Sequence, residues 1–481
     1  MARIDFNEWL PDQPGVIGKM KEALNVVPQA VGYGPFPSVA TYSNDADEPL
    51  IAVAAAKNPS TGGTEVFAGS TGKLYKLDAA SLDLDDVSKS GGYTTPTAER
   101  WRFLQFGSTF LAANGDEKIQ AWQLGSSTTW ADVDAAAPTA KYITAVRDFV
   151  VTANLGTTDR NKVQWSGIND ETEWTTSATN QSDFQVIPDG GEIRGITGGE
   201  FGLVLMERSI VRMSYVGTPL IFQFDNIARN LGCLEPNSVT QYQGITYWLG
   251  EDGFYACNGQ EIIPIGAEKV DRYFFQNLDE GFISSMSATF DPIRNLIIWA
   301  YPSVTLGTGA VDSLLIYNFT TKNWSRAEAN ISYIGQSATP SFTLENLDAF
   351  GTLDTLPSSM DSIVWLGGKA NVVGVQGSKI VTFTGQSMSA TLNTGDSELA
   401  ERVSIANMTR PLIDQGSGSV AVASRNRLGD AIAFGSFVNA DSEGRAALRT
   451  TGRYHRFSVK PSGSWRTAIG LEVNIVPLGN R

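Results

Sequence analysis

GITYWLGEDGFYACNGQEIIPIG, residues 244–266, decides how the rest of the chain reads. Ile245–Leu249 is an apolar and aromatic run, Gly250-Glu251-Asp252-Gly253 supplies a turn, and Phe254–Cys257 is a second run. Asn258-Gly259 is the strongest two-residue hairpin signal a sequence offers, because both positions tolerate φ > 0. Residues 261–265 then close a three-stranded meander. A unit this small cannot bury its own faces, so it needs copies of itself to stack against.

The copies are spread along the chain. Residues 66–68 turn at Gly69-Ser70-Thr71-Gly72 into 74–77, and 110–113 turn at Asn114-Gly115-Asp116 into 119–122. Residues 149–153 pair with 163–165 across a longer loop, and 203–206 turn at Glu207-Arg208 into 210–213. Residues 296–301 and 314–317 flank a glycine-rich insertion, with a turn before Trp324. Residues 363–366, a Gly367-Gly368 turn and 380–383 make a last, looser unit. First strands thus begin near 66, 110, 149, 203, 245, 297 and 363, in steps of 44, 39, 54, 42, 52 and 66. Four-stranded propeller blades of about 40–50 residues give such spacing, the longer steps being loop insertions.

The fold class expected is all-β: a β-propeller of six or seven blades with insertions, plus a C-terminal β domain or appendage that also helps close the ring. A pair of sandwiches or a β-helix is the alternative. No helix of three or more turns is legible in the hairpin region, which argues against an α/β fold. The expected divisions are an extended N-terminal lead (1–40), the propeller (41–395) and the C-terminal β region (396–481). Within the lead, Val16, Met20, Ala23 and Leu24 fall at helical spacing and predict about two turns of helix before Pro28.

Composition narrows the function. Net charge is −15, from 51 acidic and 36 basic residues, which opposes tight nonspecific binding of nucleic acid. The imbalance is uneven: residues 396–481 hold 11 Lys/Arg against 8 Asp/Glu, leaving 25 against 43, or −18, for the other 395. Such asymmetry predicts different surroundings for the two parts. No apolar run approaches the ~20 residues of a membrane span, and the first residues lack the pattern of a secretory signal. With Cys233 and Cys257 as the only cysteines, synthesis in a reducing cytoplasm is the better reading.

Chemistry is sparse. His455 is the only histidine, so a Ser-His-Asp triad would have to use it; its neighbours Arg453, Tyr454, Arg456 and Phe457 favour a structural or interface role. One histidine and two cysteines cannot assemble a zinc site on their own, and no twelve-residue calcium loop is present. No phosphate-binding glycine loop occurs. Carboxylate pairs for glycoside hydrolysis depend on a spatial separation that a sequence does not give, and 166–171 (SGINDE) departs from the sialidase turn repeat Ser-x-Asp-x-Gly-x-x-Trp. We therefore expect no enzyme activity and no catalytic, cofactor-binding or metal residues. Trp122, Trp165, Trp174, Trp248, Trp299, Trp324 and Trp365 recur near strand ends, which predicts packing between blades; a sugar-binding platform is the sharper alternative.

Several stretches resemble a virion structural family of bacteriophages: 7–15 (NEWLPDQPG) with 25–28 (NVVP), 163–166 (VQWS) with Trp174, and 219–225 (PLIFQFD). So do 251–255 (EDGFY), 315–318 (LIYN) with 324–326 (WSR), and 453–457 (RYHRF), so that the likeness spans nearly the whole chain. The family is similar to the tail hub, or nozzle, proteins of short-tailed phages, also called packaged-DNA stabilisation proteins. The resemblance implies a propeller-containing subunit, about six copies forming a ring below the portal and head–tail adaptor. That ring retains packaged DNA and later lets it pass without gripping it. Partners implied are the chain itself, portal and adaptor proteins, and tail needle, fibre or tailspike proteins, in a virion tail made in the host cytoplasm. The rival reading is a carbohydrate- or receptor-binding propeller of a phage tail.

Overall fold

The computed structural model describes residues 2–14, 18–338, 352, 370–400 and 402–478. Six four-stranded antiparallel sheets follow one another along the chain, at 50–86, 102–132, 140–186, 193–229, 240–264 and 287–328; we number them blades 1 to 6. Blade 7 takes Tyr333–Ala338, Ala370–Gln376 and Lys379–Thr382, and its fourth strand, Ala40–Thr41, comes from the far end of the chain. The protein is a seven-bladed β-propeller.

Hydrophobic clusters between neighbouring blades close the ring. Phe67, Phe110, Trp122 and Trp130 join blades 1 and 2; Leu111, Ile143 and Val150 join blades 2 and 3. Val151, Trp165, Val204 and Phe222 join blades 3 and 4, and Leu205, Trp248 and Cys257 join blades 4 and 5. Phe254, Trp299 and Trp324 pack between blades 5 and 6. Ile298, Ile316, Ile334 and Val372 link blades 6 and 7, and Val53, Val66, Val373 and Val375 link blade 7 back to blade 1. No blade keeps both faces in water, which answers the instability of an isolated meander.

Burial within a blade is graded, and the grading explains which strands the sequence announces. Phe149–Leu155, the second strand of blade 3, is buried along its whole length, so it reads as a continuous apolar run. The innermost strand Arg102–Phe106 is half-buried throughout, and the outermost strand Asp183–Val186 is mostly exposed. The starts read at 66, 110, 149, 203, 245 and 297 therefore lie in second strands; the first strands begin at 50, 102, 140, 193, 240 and 287. The unit expected at 363–366 lies outside the described residues, and the strand paired with Lys379–Thr382 is Ala370–Gln376. The turn at Asn258 differs in detail too. Four residues connect Phe254–Cys257 to Ile262–Pro264, and Asn258 Oδ1 accepts from the N–H groups of Gln260 and Glu261 at 3.0 and 2.9 Å, an Asx-turn in place of a two-residue hairpin.

Both chain ends enter one β-sandwich. Its first sheet runs Val26–Pro28, Tyr33–Pro35, Thr467–Pro477, Ser404–Asp414, Ala446–Gly452, with Ala2–Asp5 added along Thr467–Pro477. Its second sheet runs Met20–Leu24, Thr391–Thr394, Tyr454–Ser462, Ser417–Arg425, Val438–Asn439. This sheet continues blade 6, because Leu24 lies parallel beside Arg326 in the outermost blade strand Asn323–Glu328. Arg326 clamps Glu22 through Nε (2.7 Å) and Nη2 (3.2 Å) across that seam, the bidentate geometry that guanidinium favours. Ile4, Val420, Phe457, Leu471 and Val473 of the sandwich belong to the same core as Trp299 and Trp324.

Three expectations change accordingly. The helix predicted before Pro28 is instead the strand Met20–Leu24, held by Thr391–Thr394 on one side and blade 6 on the other; Val16 lies outside the described residues. The lead over 1–40 is not a separate extended segment: its strands are divided between the sandwich and blade 7. Finally, the propeller is closed by Ala40–Thr41, not by the C-terminal region.

Candidate functional site

The propeller axis is the natural first place to look for a site. At one end it is spanned by side chains from opposing blades. Arg102, on the innermost strand of blade 2, donates from Nη2 to Asn237 Oδ1 at 2.8 Å, next to blade 5. Its guanidinium also lies over the Tyr142 ring. Arg100 donates to the carbonyls of Ile51 (3.1 Å) and Ser285 (3.0 Å) and stacks on Tyr333 of blade 7. Arg194 caps the carbonyls of Cys233 (3.3 Å) and Leu234 (2.7 Å).

Among these arginines sits Glu235, 5% exposed, accepting from the Asn237 N–H at 3.0 Å. Burial pushes its carboxyl up to about 6, against the pull of Arg102, Arg100 and Arg194. Cys233 beside it is free and buried, with its thiol pushed up to about 12 by burial, so it is poorly nucleophilic. The cluster ties blades together across the axis. The Glu235 carboxyl and the Cys233 thiol are both buried within it.

Asp271 is a second buried carboxyl, at the start of the short helix Asp271–Asn277. Burial, with Asp12 and Asp252 nearby, pushes it up to about 7, although it accepts from the Phe254 N–H at 3.2 Å. It fits because Gly253 (φ +156) and Gly266 leave room: a Cβ on either would lie 2.1 or 1.9 Å from its carboxylate.

His455 is fully buried in the sandwich. Its Nδ1 lies 2.7 Å from Ser424 Oγ and its Nε2 2.9 Å from Ser404 Oγ. Burial lowers its pKa, and a neutral ring donates at one nitrogen and accepts at the other. The ring therefore pins two strands together and has no path to a substrate. Nearby, Asp396 is 1% exposed and bonds both Arg425 (2.5 Å) and Arg456 (2.8 Å).

A cleft of about 550 Å³ between blades 6 and 7 is lined by Tyr273, Tyr301, Asp312, Arg326, Phe383 and Met388. Its charges are already engaged, Arg326 by Glu22 and Asp312 by the N–H and hydroxyl of Ser303 at 2.9 and 2.6 Å. Among the described residues no group of three or more His, Cys, Asp and Glu could hold a metal. The ten described tryptophans are all at most 3% exposed, so they pack between strands and do not form a sugar platform; Trp365 lies outside the described residues.

What remains on the surface is an electrostatic division. Arg402, Arg410, Arg427, Arg449 and Arg466 are exposed on the sandwich and make no ion pair among the described residues. Blade 3 and its loops (139–192) carry eight Asp/Glu against four Lys/Arg. The basic and acidic ends are set apart by the ring itself, since the sandwich grows from blade 6 while blades 2 and 3 stand three places away in either direction.

No family model and no curated protein matches this chain. Among solved structures, a chain of the mitotic checkpoint complex aligns over 73% of this chain and 93% of its own, at 9% identity and TM-score 0.41. The computationally designed Ika8 protein aligns over 73% and 100%, at 10% identity and TM-score 0.38. An extracellular domain from B. thetaiotaomicron aligns over 89% and 58%, at 11% identity and TM-score 0.39. Similarity at this level carries no argument about function.

Proposed function

We propose that the chain is a structural subunit of a short phage tail, of the hub or nozzle kind, and acts by assembling into a ring. The observation that carries the reading is the union, through one continuous sheet, of an acidic propeller with a sandwich that exposes arginines without ion pairs among the described residues. Such a wedge with unlike ends suits head-to-tail contacts, which close into rings when the rotation allows. The sequence resemblance supports the same assignment.

On this reading, the path for DNA runs between copies and not along a propeller axis, which Arg102 and Asn237 bridge from opposing blades. The acidic exterior then favours passage, since a basic lining would hold phosphate with strongly salt-dependent affinity. The exposed arginines serve contacts with neighbouring copies or with the portal and adaptor. Electron microscopy of particles containing this chain is the test. A ring of propellers between portal and tail tip is the expected image; the chain at a receptor-binding tip, or outside the particle, would overturn the reading. Removing everything after Gly395 is a poor substitute, because it strips strands whose side chains share the core of blades 5 and 6.

A further inference from the structure

Another cleft, of about 320 Å³, opens between blades 5 and 6. Its walls are apolar, with Ile245 and Ile263 from blade 5 and Phe319 from blade 6, and Ile263 is 48% exposed. The polar side chains that line it are alike in offering donors. Tyr247 and Tyr317, one from each blade, have ring centroids 6.3 Å apart, and neither hydroxyl has a hydrogen-bond partner among the described residues. Burial pushes both phenols up to about 12, so each keeps its proton and can donate. Asn258 has committed its Oδ1 to the N–H groups of Gln260 and Glu261, which leaves its amide nitrogen as a donor. Lys269 is held by Glu8 at 2.6 Å and by the Lys322 carbonyl at 3.4 Å. Lys322 also lines the cleft and makes no ion pair among the described residues. No Asp or Glu is among the described residues that line it.

The backbone at Lys322 is unusual. It ends the turn between the third and fourth strands of blade 6 with φ +60, its N–H bonded to the Asn318 carbonyl at 2.8 Å. Left-handed turn positions ordinarily take Gly or Asn, which adopt that conformation at little cost. Lysine in that place instead puts an unpaired ammonium beside an apolar cleft, in a chain of net charge −15. We infer that the cleft binds a small carboxylate with an apolar body. The body packs between Ile263 and Phe319, and the carboxylate accepts from Lys322 and the two phenols. A carboxylate brings only acceptors and the missing negative charge, so it satisfies donors that have no acceptor in the protein. A cation would meet an ammonium with no carboxylate to offset it. Ligand pockets run from roughly 300 to 1,000 Å³, so this one suits a small molecule. Binding of this kind needs no assembly and is independent of the tail reading.

The test is calorimetric titration of the full chain with octanoate and 2-naphthoate, which represent alkyl and aryl bodies, against octanol and octylammonium. At least one of the two acids should bind, about tenfold or more tighter than octanol, because charge-assisted hydrogen bonds are the stronger kind; octylammonium should not bind. Lys322→Gly should bring the acid down to the level of octanol. Glycine suits φ +60, so this variant should melt no lower than the parent, and lost binding then means a lost ammonium and not a lost fold. Tyr247→Phe with Tyr317→Phe should weaken the acid by about three- to tenfold. No binding of either acid, equal affinity for octanoate and octanol, or an acid bound as tightly by Lys322→Gly as by the parent overturns the assignment. Octanoate carrying a diazirine should, on irradiation, label peptides covering 245–265 and 317–322; labelling confined to other peptides overturns it as well.

Discussion

Asp396→Ala should be among the most damaging single changes in the sandwich. Its carboxylate is 1% exposed and holds Arg425 and Arg456, whose side chains are only 11% and 15% exposed. Both Nε atoms of these arginines already lack a partner in the structure. Removing the anion leaves two like charges facing each other with little water to screen them. Two unit charges ~4 Å apart at an effective dielectric of ~20 interact by about 4 kcal/mol, and breaking a buried ion pair on one side costs about 3–5 kcal/mol. We therefore expect a loss of that size in urea-induced unfolding followed by tryptophan fluorescence. Asp396→Asn, which keeps an acceptor but no charge, should fall between. The informative control replaces the whole triad by Leu at 396 and Met at 425 and 456. Well-packed apolar substitutes for a buried ion cluster are often neutral or stabilising, so this triple variant should recover most of the loss. A loss below about 1 kcal/mol for Asp396→Ala would show that water reaches the cluster and that the buried-charge argument is wrong.

Glu235→Gln tests the axial cluster. A carboxyl raised from its ordinary value to about 6 contributes stability that is full at low pH and is lost as pH rises through that value. The wild type should therefore lose about 2 kcal/mol relative to Glu235→Gln between pH 4.5 and 7.5; a pH-independent difference between the two contradicts this. Gly253→Ala places a methyl 2.1 Å from the Asp271 carboxylate. It should cost more than ~2 kcal/mol through overpacking and backbone strain, part of it recovered by adding Asp271→Ser; a thermal melt like the wild type's refutes the cradle. Duplex DNA should bind more weakly than the roughly 10⁻⁴–10⁻⁶ M of nonspecific binders at physiological salt. Fluorescence anisotropy checks this, and tighter, steeply salt-dependent binding would reveal a basic stripe.

The propeller was legible because its second strands are buried on both faces, as Phe149–Leu155 is, and announce themselves as apolar runs. The inner strands were harder, since Arg102–Phe106 presents one side to the axis and mixes polar with apolar residues. Met20–Leu24 misled for a different reason. Met, Lys, Glu, Ala and Leu are all strong helix formers, and only pairing with Thr391–Thr394, far away in the sequence, makes them a strand. The same distance hid Glu235: nothing near it in the chain predicts that Arg100 and Arg102 of blade 2 surround it. The charge division could be counted from composition, but its placement on opposite sides of a ring could not.

The weaving of both ends into one sandwich governs how this molecule can be made. Ala2–Asp5 pairs with Thr467–Pro477, so the earliest of these strands waits for at least 461 intervening residues (467 − 5 − 1). At ~5–20 residues per second that wait lasts roughly 25–90 s. Ile4 and Phe6, both buried in the finished protein, lie against that late strand, and Ala40–Thr41 has no partner until Lys379–Thr382 emerges. Blades 1 to 6 can form in order on the ribosome, since each is local in sequence, but the last closure joins strands far apart in the chain and is of high contact order, hence slow. The vulnerable species during synthesis is accordingly a nearly complete propeller with a loose N-terminal segment whose apolar residues invite aggregation.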